Sequence, residues 1–177
     1  NGKVLGASKV TLGEYLLPWL DFQHKNAIAS TTYRRYRGLA VRNIVPALGN
    51  MQLNKISKRE IATLMSSMAA NKIGARSQNQ ALALISKCMK SAVDSGLILA
   101  NPAQGLAKSP EQKAQITPLN ENQVLALLDK HKGTFMGARL HIAFCGLRQG
   151  EALGLQWNDI DFKEGTMQVH QQSQEVD

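Results

Sequence analysis

Cysteine, proline and aromatic residues are scarce in this chain of 177 residues, which has two Cys, five Pro and 5% aromatics. The cysteines, Cys88 and Cys145, lie far apart, each inside a helical pattern, with no CxxC and no Cys/His cluster near them. That excludes a disulfide framework, so both read as buried free thiols in a reducing, cytoplasmic setting. No apolar run approaches the ~20 residues that a membrane span needs. Residues 1–8 carry no initiator Met and no apolar stretch before a small-residue cleavage site. They read as a tail or the end of an upstream segment, not as a secretory signal. Internal repeats and low-complexity tracts are absent too.

Acidic residues are missing from the first half in particular. Residues 1–109 hold 15 Lys and Arg against 4 Asp and Glu, whereas residues 110–177 hold 6 against 9. A strongly basic part joined to a mildly acidic one implies two domains, the first of which meets a polyanion. A membrane surface is the weaker choice of partner. A membrane-seeking helix pairs its basic face with exposed bulky apolar residues, and here the apolar faces are needed for a core.

Helical punctuation is plentiful. Thr11 and Glu14 form a capping box ahead of Leu12, Tyr15, Leu16, Trp19 and Leu20, with a kink expected at Pro18. A second helix starts near Ser30, carries Tyr33, Tyr36, Ala40 and Ile44 on one face, and ends around Pro46 before a turn at Leu48-Gly49-Asn50. Ser57 and Glu60 box a third helix with Ile61, Leu64, Met65 and Met68 inward. A fourth runs from about Ser77 to Gly96, burying Leu82, Ile85, Met89 and Val93, with Gly96 as its stop. Four such helices make a compact all-α domain over 9–107. Residues 108–116, with Pro110 among several charges, read as a linker. Beyond it Asn120 caps a fifth helix, a sixth covers Phe135 to Phe144, and a short one covers Gly150 to Leu155. A β-strand is expected over Met167–Gln171, after turn chemistry at Lys163-Glu164-Gly165.

Two constellations carry chemistry. In Cys145-Gly146-Leu147-Arg148-Gln149-Gly150-Glu151-Ala152-Leu153-Gly154-Leu155-Gln156-Trp157-Asn158-Asp159-Ile160-Asp161, one arginine sits between glycines at a turn into a helix, three residues before a glutamate. At that spacing the side chains meet, and a carboxylate that fixes a guanidinium fork suits it to phosphate. Taken alone, the same pair is also what an ordinary helix-start ion pair looks like. The second constellation is a basic face. Arg34, Arg35 and Arg42 fall within about 100° of arc on the second helix, opposite Tyr33, Tyr36 and Ile44. Asn79, Gln80, Ser86, Lys87 and Lys90 form a polar stripe on the fourth, with Arg76 and Ser77 at its N-terminus, where phosphate binds well. Amides and guanidinium groups on helical faces suit base edges and phosphates in a major groove.

The motif Gly-Leu-Arg-x-Gly-Glu-x-Leu-x-Leu-x-Trp-x-Asp-Ile-Asp resembles the first catalytic-arginine motif of the tyrosine recombinase (phage integrase) family. Thr32-Tyr33-Arg34-Arg35-Tyr36, Ile44 to Gly49, Leu53 to Ser57, Ser77 to Val93 and Gly96 to Ala103 resemble that family's core-binding domain in order and spacing. Ile116 to Glu121 resembles the opening of its catalytic domain. The resemblance implies a mainly α chain: a four-helix SAM-like core-binding domain (9–107), a linker (108–116) and an N-terminal fragment of an α+β catalytic domain (117–177). It implies that Arg148 contacts the non-bridging oxygens of the scissile phosphate and that Glu151 orients the site. It implies strand cleavage through a 3′-phosphotyrosine, without metal or other cofactor, by an enzyme that works as a tetramer on double-stranded DNA. The family's hairpin lysine, His-x-x-Arg segment and nucleophilic tyrosine have no match in the chain as given, which is therefore expected to bind without cutting. A naturally short accessory or competitor protein is the alternative, and an unrelated helical transcription regulator is a third. With no later strands and helices to cover them, Leu153, Leu155 and Val169 are expected to be exposed or buried against another copy.

Overall fold

The computed structural model describes residues 9–112 and 115–173. It divides into two compact units, Asn1–Lys113 and Ala114–Asp177; the N-terminal tail reading falls on residues 1–8, outside the described ones.

In the first unit the capping boxes form as their spacing demands. Thr11 Oγ1 donates to Glu14 Oε2 at 2.8 Å and the Thr11 N–H donates to the same oxygen at 2.9 Å. Helix α1 (Leu12–Asn26) follows, burying Leu12, Leu16 and Leu20 and staying helical through Pro18. Helix α2 (Ser30–Leu39) runs without interruption into a π turn (Ala40–Ile44) and then a short α3 (Val45–Leu48). The chain is thus helical past Pro46. A proline lacks the N–H for the bond to residue i−4, and its ring crowds that carbonyl, here Arg42. The wider π turn just upstream, in which the Val45 N–H reaches back to the Ala40 carbonyl, relieves the crowding. Gly49 ends this run against α1. The Gly13 N–H bonds the Gly49 carbonyl at 2.9 Å, and a Cβ on Gly13 would lie 3.1 Å from that oxygen, so any side chain at position 13 would crowd this approach.

Helix α4 (Lys58–Ala70), boxed by Ser57 and Glu60, buries Ile61, Leu64 and Met68, while Met65 is half-buried. Helix α5 (Ala75–Asp94) starts two residues earlier than expected and is the spine of the unit, with eight buried residues from Gln78 to Ala92. Its end is a Schellman motif. Gly96 takes φ +70, the Gly96 N–H reaches Val93 O and the Leu97 N–H reaches Ala92 O, both at 2.9 Å. The chain then turns back along α5. Asn101 Nδ2 donates to the Ser86 carbonyl at 2.9 Å, Ile98 and Ala103 enter the core, and Ser109 meets Gln78 and Asn79. Tyr15 Oη donates to Ser91 Oγ at 3.1 Å and ties α1 to α5.

The second unit comprises α6 (Glu121–Lys130), α7 (Phe135–Phe144), α8 (Gln149–Gly154) and a two-stranded antiparallel ladder. Strand β1 (Ile160–Asp161) pairs with β2 (Thr166–Met167), Ile160 opposite Met167. The expected strand over 167–171 is therefore corrected: pairing starts at Thr166 and, beyond Met167, keeps one further bond, from the Gln168 N–H to Asp159 O at 2.9 Å. Residues 171–173 instead lie along α8, with the Ser173 N–H on Gly150 O at 2.7 Å and Gln171 Nε2 on Gly154 O at 2.9 Å. Alternation in sequence set the facing of side chains but could not supply a partner strand. Among the described residues of this unit only Gly137 is buried.

Candidate nucleic-acid interface and phosphate site

The Arg148 site is built by three short devices. Helix α7 ends at Cys145, and Gly146, at φ +85, reverses the chain in a conformation that an L side chain resists. Leu147 follows, and Arg148 takes an extended φ/ψ as the N-cap of α8. Glu151, three residues on, accepts twice from Arg148: from its backbone N–H at 2.8 Å through Oε2, and from Nη1 at 2.9 Å through Oε1. These two bonds, the backbone one first, hold the Glu151 carboxyl below its ordinary value of 4.5. The carboxylate is the more sheltered partner, with a side chain 22% exposed against 84% for Arg148. One edge of the guanidinium is thus held while the rest of a planar, permanently charged fork faces outward. An Arg in this state can take a phosphate oxygen pair without giving up its positioning contact.

Helix α8 is only six residues long and contains Gly150 and Gly154, each disfavoured in a helix interior by about 1 kcal/mol relative to Ala. Both are needed by the segment alongside, since a Cβ at either position would stand 3.0 Å from backbone atoms of residues 171–173.

The basic face of the first unit is more interlocked than its periodicity suggested. Tyr36 is not opposite the arginines: the Arg35 guanidinium lies over its ring at 5.6 Å, and Lys87 of α5 lies over the same ring at 5.7 Å. One half-buried aromatic thereby gathers cations from α2 and α5, each attracted by the negative ring face. Arg34, Arg35, Arg76, Lys87 and Lys90 are exposed, and Ser77 and Gln80 are half-buried. Arg42 folds back, its Nε donating to Gly38 O at 3.2 Å, and the π turn adds a residue between it and Arg34 that a uniform helical count cannot include. Ser86 takes the Asn101 amide on its carbonyl and its hydroxyl.

Asn79 is occupied. Its Nδ2 donates to Ser109 O at 2.9 Å and to Glu111 Oε1 at 2.8 Å, and its Oδ1 accepts from the Ser109 N–H at 2.8 Å. Sequence reasoning placed it with the groove-facing residues because an amide suits a base edge. The segment that takes it lies thirty residues downstream, and no local signal announces it.

Cys88 is buried, which pushes its thiol up to about 12, but Cys145 is exposed, correcting its reading as a buried thiol. Tyr33 Oη donates to Asp21 Oδ1 at 2.6 Å, and His24 stacks on the Tyr33 ring at 4.2 Å.

Residues 11–69 match the description "Phage integrase, N-terminal SAM-like domain". The chain is 26% identical to the "Tyrosine recombinase XerC-like" protein of Caldanaerobacter subterraneus subsp. tengcongensis, an alignment covering 99% of this chain and 47% of that protein. It is 29% identical to "Prophage integrase IntR" of Escherichia coli K12 over 53% of this chain and 23% of that one. These similarities are to tyrosine recombinases and phage integrases. A crystal structure of a lambda integrase (75–356) dimer bound to a COC′ core site superimposes with a TM-score of 0.74 at 19% identity, covering 86% of this chain and 54% of that one. This likeness shows that the chain shares the mainly helical fold of that structure. The chain spans less than half the length of the two relatives it matches.

Proposed function

We propose that this chain serves site-specific DNA recombination in a bacterial or phage-infected cytoplasm, the first unit gripping duplex DNA and Arg148 binding the scissile phosphate. The observation that carries the reading is the Arg148–Glu151 pair, in which a sheltered carboxylate fixes an exposed guanidinium at a helix start. The cations gathered on Tyr36, with Arg34, Arg42, Arg76 and Lys90, supply the sequence-independent hold on the backbone, and Gln80 the contact to base edges. The working enzyme is a tetramer on two sites, and the chain of 177 residues by itself binds without cutting. Its three tyrosines all belong to α1 and α2, with the Tyr15 and Tyr33 hydroxyls engaged in hydrogen bonds.

Filter binding of duplex DNA across a salt series tests the grip. Affinity falls steeply with salt as neutralised phosphates release counterions, Arg34→Ala and Arg35→Ala weaken binding to every sequence, and Gln80→Ala shifts preference between sequences. A flat salt dependence overturns the nucleic-acid reading. In the recombination-competent protein containing this chain, Arg148→Lys leaves DNA affinity near wild type but slows single-turnover cleavage by at least ~100-fold, the scale for losing one aimed donor to a developing oxyanion. Lysine keeps the charge and loses the fork, so the loss reports geometry. Glu151→Gln costs less. Cleavage at the wild-type rate by Arg148→Lys returns the pair to a helix-start ion pair.

A further inference from the structure

The segment following α5 does not leave the first unit freely, and Asn79 is the reason. An asparagine side chain has two N–H donors and one carbonyl oxygen. Both donors of Asn79 are engaged, one by the Ser109 carbonyl and one by the Glu111 carboxylate, and its oxygen holds the Ser109 N–H. The bond to Glu111 is charge-assisted and so among the stronger kind. The residue before it adds a second hold. Gln78, 7% exposed, accepts from Ser109 Oγ at 2.6 Å through Oε1 and donates to Ile73 O at 2.6 Å through Nε2. A buried amide satisfied at both ends is costly to disturb, since losing it leaves its former partners unpaired. Two successive side chains of α5 therefore close on one residue of the inter-unit segment.

Reading an adenine through the major groove requires the amide N–H and oxygen together. For Asn79 that would break the contacts to Ser109 on both sides. We infer that Asn79 is a positioning residue that, with Gln78, clamps residues 109–111 onto α5 and sets the course of the chain toward the second unit, and that it is not a reader of DNA bases. The clamp makes residues 97–111 part of the first unit. The consequence for recombination, a fixed departure point for the polypeptide that carries Arg148, rests on the DNA-cleaving reading above; the clamp itself does not.

Amide hydrogen exchange on the 177-residue chain, read on peptides spanning Ser109 and on α5, tests the clamp directly. Asn79→Ala speeds Ser109 exchange by at least ~10-fold while exchange in the C-terminal half of α5 stays at the wild-type rate, which shows that the unit remains folded. Asn79→Asp is nearly isosteric but loses both donors and opposes Glu111 with a like charge; its carboxylate still accepts the Ser109 N–H, so it releases the segment only in part. Adding Glu111→Gln to Asn79→Asp removes the repulsion and supplies an amide donor, and slows exchange again toward wild type. In parallel, a panel of duplexes of different sequence is ranked by affinity: Asn79→Ala leaves the ranking unchanged, whereas Gln80→Ala alters it. Wild-type exchange at Ser109 in both single variants overturns the clamp, and so does a reordered ranking in Asn79→Ala with the segment still protected. Failure of wild-type chain to bind duplex DNA strikes the functional reading alone, since the Ser109 exchange is measured without DNA.

Discussion

The two units are held together by different physics. Every buried hydrophobic residue among the described ones lies between Leu12 and Ala103, all but Leu39 in a single cluster, with Leu16, Ile44, Ile85 and Met89 essentially closed to solvent. The second unit has shorter helices and, among its described residues, only Gly137 buried, and Phe135, Trp157 and Phe162 are each at least 75% exposed. What orders it is local: the Asn120–Gln123 box, the Thr134 cap, the Arg148–Glu151 pair and the Asp161 oxygen that takes the N–H groups of Lys163 and Glu164 in the hairpin. Such bonds fix short-range geometry, but hydrophobic burial is the dominant source of stability. A well-positioned arginine fork therefore does not require a well-packed domain around it. Leu153 and Val169 are exposed, as expected, whereas Leu155 is half-buried.

Core substitutions should separate the units most sharply. Ile85→Ala removes a fully buried side chain and should cost about 2–5 kcal/mol in urea unfolding of the first unit. Phe162→Ala, at an exposed position, should stay within ~0.5 kcal/mol. A large loss at Phe162 would mean that the second unit has a core after all. Thiol labelling comes next. A disulfide reagent under native conditions should modify Cys145 at least ~1000-fold faster than Cys88, which reacts only when α5 opens. Equal rates would break the comparison.

The smallest effects belong to the caps. Thr11→Ala or Ser57→Ala should cost about 1 kcal/mol of first-unit stability. Both boxes hold a glutamate carboxyl, Glu14 and Glu60, below its ordinary value of 4.5 through bonds from Thr11 and Ser57. A depressed folded-state value means that the unfolded chain binds more protons in the window beneath 4.5. Stability is then fully present above about 4.5 and declines as pH falls through the folded values. Denaturation midpoints measured between pH 6 and pH 3 should fall on the acid side, and less steeply in Glu60→Gln. An acid side that is flat for wild type would remove the caps from the account.

Much of this was legible in the sequence because it is local. Capping pairs three residues apart and apolar residues at helical spacing located α1, α4, α6 and α7, and the turn at Gly146 with Arg148 and Glu151 brought the candidate phosphate site together. What was not legible depends on distant partners or on a changed period. The π turn before Pro46 breaks the 3.6-residue count that ordered Arg34, Arg35 and Arg42. Tyr36 gathers Lys87 from another helix, and Asn79 is claimed by Ser109 and Glu111. Met167 to Gln171 alternates as a strand should, yet most of it finds no strand to pair with.

The return of the chain along α5 has a consequence for where this protein can be divided. The integrase signature stops at residue 69, inside α4, and yet eight buried residues belong to α5 and two more, Ile98 and Ala103, to the segment that doubles back over it. The matched stretch is thus shorter than the stretch that shares one core. A fragment trimmed to the signature would keep the lettering of the domain and lose its cooperativity. The core itself runs on to Ala103, and the segment held by Gln78 and Asn79 runs on to Glu111.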